Sequence, residues 1–196
     1  CKAALSWIKA NIGDYGGNAD FIAVTGGSAG GHLSALLALT PNDPAFQPGF
    51  ETNDTKVQAA VPFYGVFDWS NRDQLQHNAG MQSILEDRIV KQTLADAPTL
   101  FENASPLLRI TDSAPPFMVV HGDKDSLVPI GLGRVFAAEL AAASDNTVVY
   151  LEVPGAQHAF DVFASPRSEH TKLGVARFLT HAYSQHLAHS GARQTS

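Results

Sequence analysis

Asp20-Phe-Ile-Ala-Val-Thr25-Gly-Gly-Ser28-Ala-Gly-Gly31 is the stretch on which the fold turns. Phe21 to Val24 is a short apolar run suited to a buried strand, and it ends in a cluster of glycines. Beyond the cluster, Leu33, Leu36, Leu37 and Leu39 with alanines between them read as a helix apolar on most faces and therefore deeply buried. Within the turn, Gly26 to Gly30 spell G-x-S-x-G. A sharp strand-to-helix turn lifts a serine hydroxyl clear of a sheet, and flanking glycines let backbone pack closely around the strained residue. The N–H of Ala29 then faces the space beside Ser28 and suits a developing oxyanion. The competing readings are a phosphate-cradling loop or a plain strand–helix turn. No lysine follows as in a nucleotide-binding P-loop, which favours Ser28 as a nucleophile.

Outward from this turn, the same alternation recurs. Residues 41–55 hold three prolines and little periodicity and read as loop, and Val57 to Phe63 is a second strand, expected to end at Pro62. Phe117-Met-Val-Val120 is a third strand, Pro129 opens a helix carrying Leu132, Val135, Phe136 and Leu140, and Thr147 to Val153 is a fourth strand. Residues 81–92 are expected to form one helix with Met81, Ile84, Leu85 and Ile89 on one face. A final helix is expected from about Arg167 to Leu187, with Leu173, Ala176, Leu179 and Tyr183 on one side. Strands apolar on both faces, alternating with helices, predict an α/β domain with a mainly parallel sheet flanked by helices. The domain is expected to span 1–188, with 64–114 partly a cap or substrate-pocket insertion and 189–196 a flexible tail. The chain opens at Cys1 directly into a helical pattern (Leu5, Ile8, Ile12), as expected of a fragment or processed product.

Composition removes several functions. With 196 residues, 44% of them apolar, the chain is long enough for one domain with a sizeable core and too well endowed with apolar residues for disorder. Thirteen Lys+Arg against nineteen Asp+Glu leave no basic stripe for nucleic acid. One cysteine excludes an intramolecular disulfide framework and a cysteine-cluster zinc site, and no metal or cofactor is expected. No apolar run reaches the ~18–20 residues needed to span a bilayer, and the opening residues lack the layout of a signal peptide. Localisation and oligomeric state are not legible.

Function in such sheets gathers at the loops after strand C-termini, and two more loops carry reactive groups. His121-Gly-Asp-Lys-Asp125 follows the third strand. A serine nucleophile needs a base and the base needs a carboxylate, for which Asp123 and Asp125 compete; His121, at the strand end, reads as structural. Pro154-Gly-Ala-Gln-His158-Ala-Phe-Asp161 follows the fourth strand. Four other histidines sit in or after the last helix, His32 lies in the helix after the serine, and His77 is in the irregular middle. The order Ser28, acid, His158, each after a successive strand, singles out His158 as the base.

The stretches Thr25-Gly-Gly-Ser-Ala-Gly-Gly-His-Leu33, Val61-Pro-Phe-Tyr-Gly65, His121 to Pro129 and Pro154 to Asp161 together resemble the α/β-hydrolase carboxylesterases, specifically the actinobacterial esterases and lipases related to the hormone-sensitive-lipase group. The resemblance covers nearly the whole chain. It implies the α/β-hydrolase fold and a triad in which the second aspartate of the His-Gly-x-x-Asp motif, Asp125, joins Ser28 and His158, with Ala29 in the oxyanion hole. It also implies that the fold's first four strands, and a His-Gly-Gly loop that supplies further oxyanion donors, lie outside this sequence. Many relatives with a large cap have Asp or His where this chain has Gly27.

The expected activity is hydrolysis of small-molecule carboxylic esters through an acyl-enzyme. The alternatives are an arylformamidase or prolyl-oligopeptidase-like peptidase on the same fold, or an inactive truncated scaffold. Gly27, Phe63, Tyr64, Phe67 and Trp69, clustered at strand ends, are the expected substrate-pocket residues, with ordinary core packing as the competing reading of the aromatics.

Overall fold

Four strands, each returning through a crossover, pair in parallel in chain order in the computed structural model, which describes residues 1–75 and 79–194: β1 (Ala23–Gly27), β2 (Ala59–Phe63), β3 (Phe117–Gly122) and β4 (Val148–Val153). The helices are α1 (Lys2–Asn11), α2 (Ala29–Leu39), α3 (Ala79–Ser83), α4 (Pro98–Ala104), α5 (Ile130–Ala143) and α6 (Pro166–Gln194). Parallel pairing brings the C-terminal ends of all four strands to one edge, so the loops that leave them share one rim.

The two-residue period of the strands sorts the core into two layers. Ala60, Phe117 and Val119 pack with Ala35 and Ala38 of α2 and Phe136, Ala137 and Leu140 of α5. Ala59, Val61, Met118 and Val120 pack on the other face against Phe178 and Ala182 of α6. The inner strands β2 and β3 are therefore buried at every position. β1 alternates exposed and half-buried residues, and among the described residues no strand pairs with its free edge.

Several expectations shift. Pro62 does not end β2. It pairs with Gly26, and the strand runs on to Phe63, because the missing N–H falls on the β3 side between two intact bonds, Ala60 N–H to Pro116 O (3.0 Å) and Tyr64 N–H to Val120 O (2.7 Å). The helix expected over 81–92 is instead α3 followed by a π-helical stretch, Ile84–Val90. The wider turn leaves Met81 and Leu85 buried but turns Ile84 and Ile89 to solvent. α2 is less enclosed than its composition predicts, with Leu33 exposed. In α6 the buried face is Thr171, Phe178 and Ala182, while Leu173 and Tyr183 are exposed. α6 also continues to Gln194, through most of the tail expected from 189, where no proline falls; residues 195–196 and His77 lie outside the described residues.

Part of the segment 64–114 forms a third apolar cluster, in which Val66, Trp69, Met81, Leu85 and Phe101 meet Val128 and, in α5, Leu132. Buried Ser105 ties it together: its Oγ accepts the N–H of Trp69 (2.8 Å) and Ser70 (3.1 Å) and donates to Phe101 O (2.8 Å).

Candidate active site

Ser28 stands between β1 and α2 with φ 57° and ψ −118°, a conformation L-residues rarely adopt. The ladder holds it there: Ser28 N–H donates to Phe63 O (3.1 Å), and Ser28 O accepts His32 N–H (3.0 Å) as α2 begins. The tight turn needs glycine on specific sides. A Cβ on Gly26 would lie 2.6 Å from the Gly30 carbonyl, and one on Gly31 would press into Phe63 O. Gly30, the last residue of the G-x-S-x-G motif, has open space where its Cβ would be. The steric requirement therefore falls on Gly31 rather than Gly30. Ala29 is the first residue of α2, so its N–H has no acceptor within the helix.

The loops after β3 and β4 are cross-tied. Asp123 N–H donates to Val153 O (3.2 Å), Lys124 N–H to Ala156 O (3.0 Å), and Asp123 Oδ1 accepts Gly155 N–H at 2.6 Å. Gly122 must lack a side chain, because a Cβ there would collide with Ala156 O. Asp125 is fully enclosed. Its Oδ1 accepts the N–H groups of Leu127 (2.9 Å) and Val128 (2.8 Å), and its Oδ2 lies 2.8 Å from His158 Nδ1 and 3.4 Å from His121 Nε2. Burial alone would push this carboxyl up; the hydrogen bonds from His121, His158 and Val128 outweigh it and hold the group well below the usual carboxylate range.

His158 Nε2 is 2.8 Å from Ser28 Oγ. An ionised Asp125 only accepts, so Nδ1 carries the imidazole proton and Nε2 is left free to accept from the serine hydroxyl. The structure thus brings Ser28, His158 and Asp125 into one hydrogen-bonded chain, and Asp123 serves the base loop's backbone instead of its imidazole. Such an arrangement can deprotonate a serine and hold the resulting imidazolium. His121 is fully buried, with Nε2 3.0 Å from Val128 O.

The aromatic residues expected in the pocket separate. Phe63 and Gly27 line an open cleft of about 460 Å³ with Thr25, Asp161, Val175 and Leu179. Tyr64 is buried against His158, ring centroids 4.6 Å apart. Phe67 and Trp69 are interior residues: Phe67 stacks on Phe136 (4.2 Å, 12° between planes) and Trp69 on His32 (4.5 Å). They are withdrawn because Phe67 faces the core between the sheet and α5, and Trp69 is pinned by Ser105. Sequence reasoning gave no role to Asp161, Gly31 or the contact of His121 with Asp125. The signal for Asp161 was its place three residues after His158 in the motif.

Parallel topology, the left-handed serine turn and the Ser28–His158–Asp125 chain together define an α/β-hydrolase. The BD-FAE family model matches residues 1–140, and the chain belongs to that family. It is 53% identical over 182 residues to the probable carboxylic ester hydrolase LipM of Mycobacterium tuberculosis (strain ATCC 25618 / H37Rv), a match covering 93% of this chain and 42% of LipM. It is 47% identical over 195 residues to the esterase LipQ of the same organism, covering 100% of this chain and 45% of LipQ. The chain therefore spans less than half the length of these two relatives. Among solved structures, Thermogutta terrifontis esterase 2 phosphorylated by paraoxon superposes with a TM-score of 0.69 at 25% identity, over 92% of this chain and 61% of that one. Among the described residues, no helix is long and apolar enough to cross a membrane, and no group of three or more His, Cys, Asp or Glu is placed to hold a metal.

Proposed function

We propose that this chain carries the centre of a serine carboxylesterase. Ser28 Oγ attacks the ester carbonyl while its proton passes to His158 Nε2, and Asp125 steadies the imidazolium through Nδ1–H. The Ala29 N–H, at the positive end of α2, donates to the oxyanion of the tetrahedral intermediate. His158 returns the proton to the departing alkoxide, leaving an acyl group on Ser28, and water reverses the sequence. The observation that carries this reading is the unbroken chain from Ser28 Oγ through both ring nitrogens of His158 to Asp125, each step 2.8 Å.

The substrate is a small-molecule ester, in keeping with the names of the mycobacterial relatives. Gly27, which precedes Ser28 in the chain, and Phe63, whose carbonyl accepts the Ser28 N–H, are the residues for the acyl or alcohol portion, and Tyr64 packs against His158. The decisive test is labelling by a fluorophosphonate followed by peptide mass spectrometry. The adduct is expected on Ser28 and lost in Ser28→Ala. p-Nitrophenyl butyrate turnover exceeding that of the matching anilide favours the esterase; a reversed preference transfers the centre to an amidase or peptidase.

A further inference from the structure

Tyr64 lies in no step above, yet the chain accepts strain to place it. Its φ of 36° is left-handed, which costs an aromatic residue on the order of 1–3 kcal/mol unless its surroundings fix it. Five contacts do so. Tyr64 N–H donates to Val120 O at 2.7 Å, and the phenol hydroxyl donates to Asp161 Oδ1 in a short bond. The ring lies 4.6 Å from His158 at 58° and 6.0 Å from Phe160 at 69°. The fifth contact is with the turn that carries Ser28: a Cβ on Gly27 would sit 2.7 Å from the phenol oxygen and 3.0–3.1 Å from the adjoining ring carbons. A residue larger than glycine before Ser28 would therefore evict this ring.

The base loop folds around the phenol. His158 and Phe160 flank the ring, Ala159 between them takes φ 57°, and Asp161 grips the hydroxyl. Asp125 anchors His158 at one point, Nδ1, about which an imidazole can still swing. We infer that Tyr64, clamped by Asp161 and bedded on Gly27, is a positioning residue that blocks this swing and aims His158 Nε2 at Ser28. The inference rests on the triad reading above.

The test uses the 196-residue chain with Tyr64→Phe, Asp161→Ala, Asp161→Asn and the double variant Tyr64→Phe/Asp161→Ala. The readouts are kcat and KM on p-nitrophenyl butyrate, the rate of fluorophosphonate labelling, and thermal melting. Tyr64→Phe keeps the ring and loses the clamp; Asp161→Asn keeps an oxygen acceptor and the clamp. Expected are a fall of about tenfold in kcat for Tyr64→Phe and for Asp161→Ala, the size of one lost hydrogen bond to a charged group, with KM within about twofold. Labelling slows in parallel, the double variant is no worse than either single one, and Asp161→Asn retains most of the rate. Wild-type kcat and labelling in Tyr64→Phe, a change confined to KM, or losses that multiply in the double variant overturn the inference and leave the triad standing. A wild-type chain that takes no label on Ser28 removes the hydrolase reading, and this inference with it. If Asp161→Ala does not fold, Tyr64→Phe against Asp161→Asn still decides.

Discussion

Asp125→Asn is nearly isosteric, and the bonds around the carboxylate dictate what the amide must do. Oδ1 accepts two backbone donors, Leu127 N–H at 2.9 Å and Val128 N–H at 2.8 Å. An amide nitrogen cannot take that place without setting donor against donor, so the asparagine keeps its oxygen there and turns Nδ2 toward His158 and His121. Facing a donor, His158 Nδ1 must accept, which moves the ring proton to Nε2. That proton then points at Ser28 Oγ, 2.8 Å away, and the ring can no longer receive the serine proton although no heavy atom has moved. Losing the base through the wrong tautomer should cost about 10³–10⁴ in kcat, the scale known for this change in serine-protease triads. Asp123→Asn is the matched control. Asp123 Oδ1 accepts Gly155 N–H, which an amide oxygen also does, and no imidazole faces it, so less than ~10-fold should be lost. Steady-state hydrolysis of p-nitrophenyl butyrate, with thermal melts to verify folding, reads both. If Asp123→Asn is the more damaging, or if Asp125→Asn keeps more than about a tenth of the rate, the tautomer argument and the assignment of the acid are wrong.

Three further outcomes are expected. The Asp125 carboxyl is held below its unfolded value of ~3.9, so it stabilises the folded state above that pH and the contribution is lost as pH falls through and below it; melting temperature should therefore drop more steeply below pH ~4 in wild type than in Asp125→Asn, and equal slopes would refute this. Gly31→Ala drives a Cβ into the Phe63 carbonyl and should cost about 2 kcal/mol, or roughly 4–8 °C in Tm, whereas Gly30→Ala meets open space and gains helix propensity, so its Tm should hold or rise; the opposite order in calorimetry would show that the turn is not sterically limited at Gly31. The unpaired edge of β1 should make the 196-residue chain self-associate in analytical ultracentrifugation, and Ala23→Lys, on an exposed edge position, should weaken that association; a wild-type monomer at every concentration refutes it.

Much of this was legible in the sequence because the signals are local. An apolar run, a glycine cluster and an apolar helix state β1, the elbow and α2 without tertiary information, and a histidine or aspartate directly after an apolar strand is bound to reach the rim of a parallel sheet. Spacing could not choose between Asp123 and Asp125. Both reach the rim, and the choice depends on which carboxylate turns inward, a matter of the Gly122–Asp125 turn and the donors at Leu127 and Val128. Spacing could not separate the aromatics for the same reason. Phe63, Tyr64, Phe67 and Trp69 look alike in sequence, but the left-handed φ at Tyr64 breaks the alternation of β2 just past its end. Phe63 then faces the cleft, Tyr64 the base, and the other two the core. The π-helix at Ile84–Val90 was invisible because its wider turn follows no hydrophobic period that a 3.6-residue pattern detects.

The way the three loops are joined explains why those left-handed residues are tolerated. The acid and base loops act as one body, stitched by Asp123 to Gly155, Lys124 to Ala156 and Ser126 N–H to Gln157 Oε1 (3.2 Å). Among the described residues, the Ser28–His158 bond is the one hydrogen bond between the serine turn and that body, and the residues at the end of β2 pack against the turn. Phe63 offers its carbonyl to Ser28 N–H and to the close approach of Gly31, and Tyr64 offers its ring to Gly27 on one side and His158 on the other. Of these two residues, Tyr64 lies between the serine turn and His158. Regular strand geometry would send successive side chains to opposite faces of the sheet, and Tyr64 could not then reach the rim beside Phe63. A left-handed φ at this one residue breaks the alternation, and the hydrogen bond to Asp161 together with the glycine at 27 holds it broken.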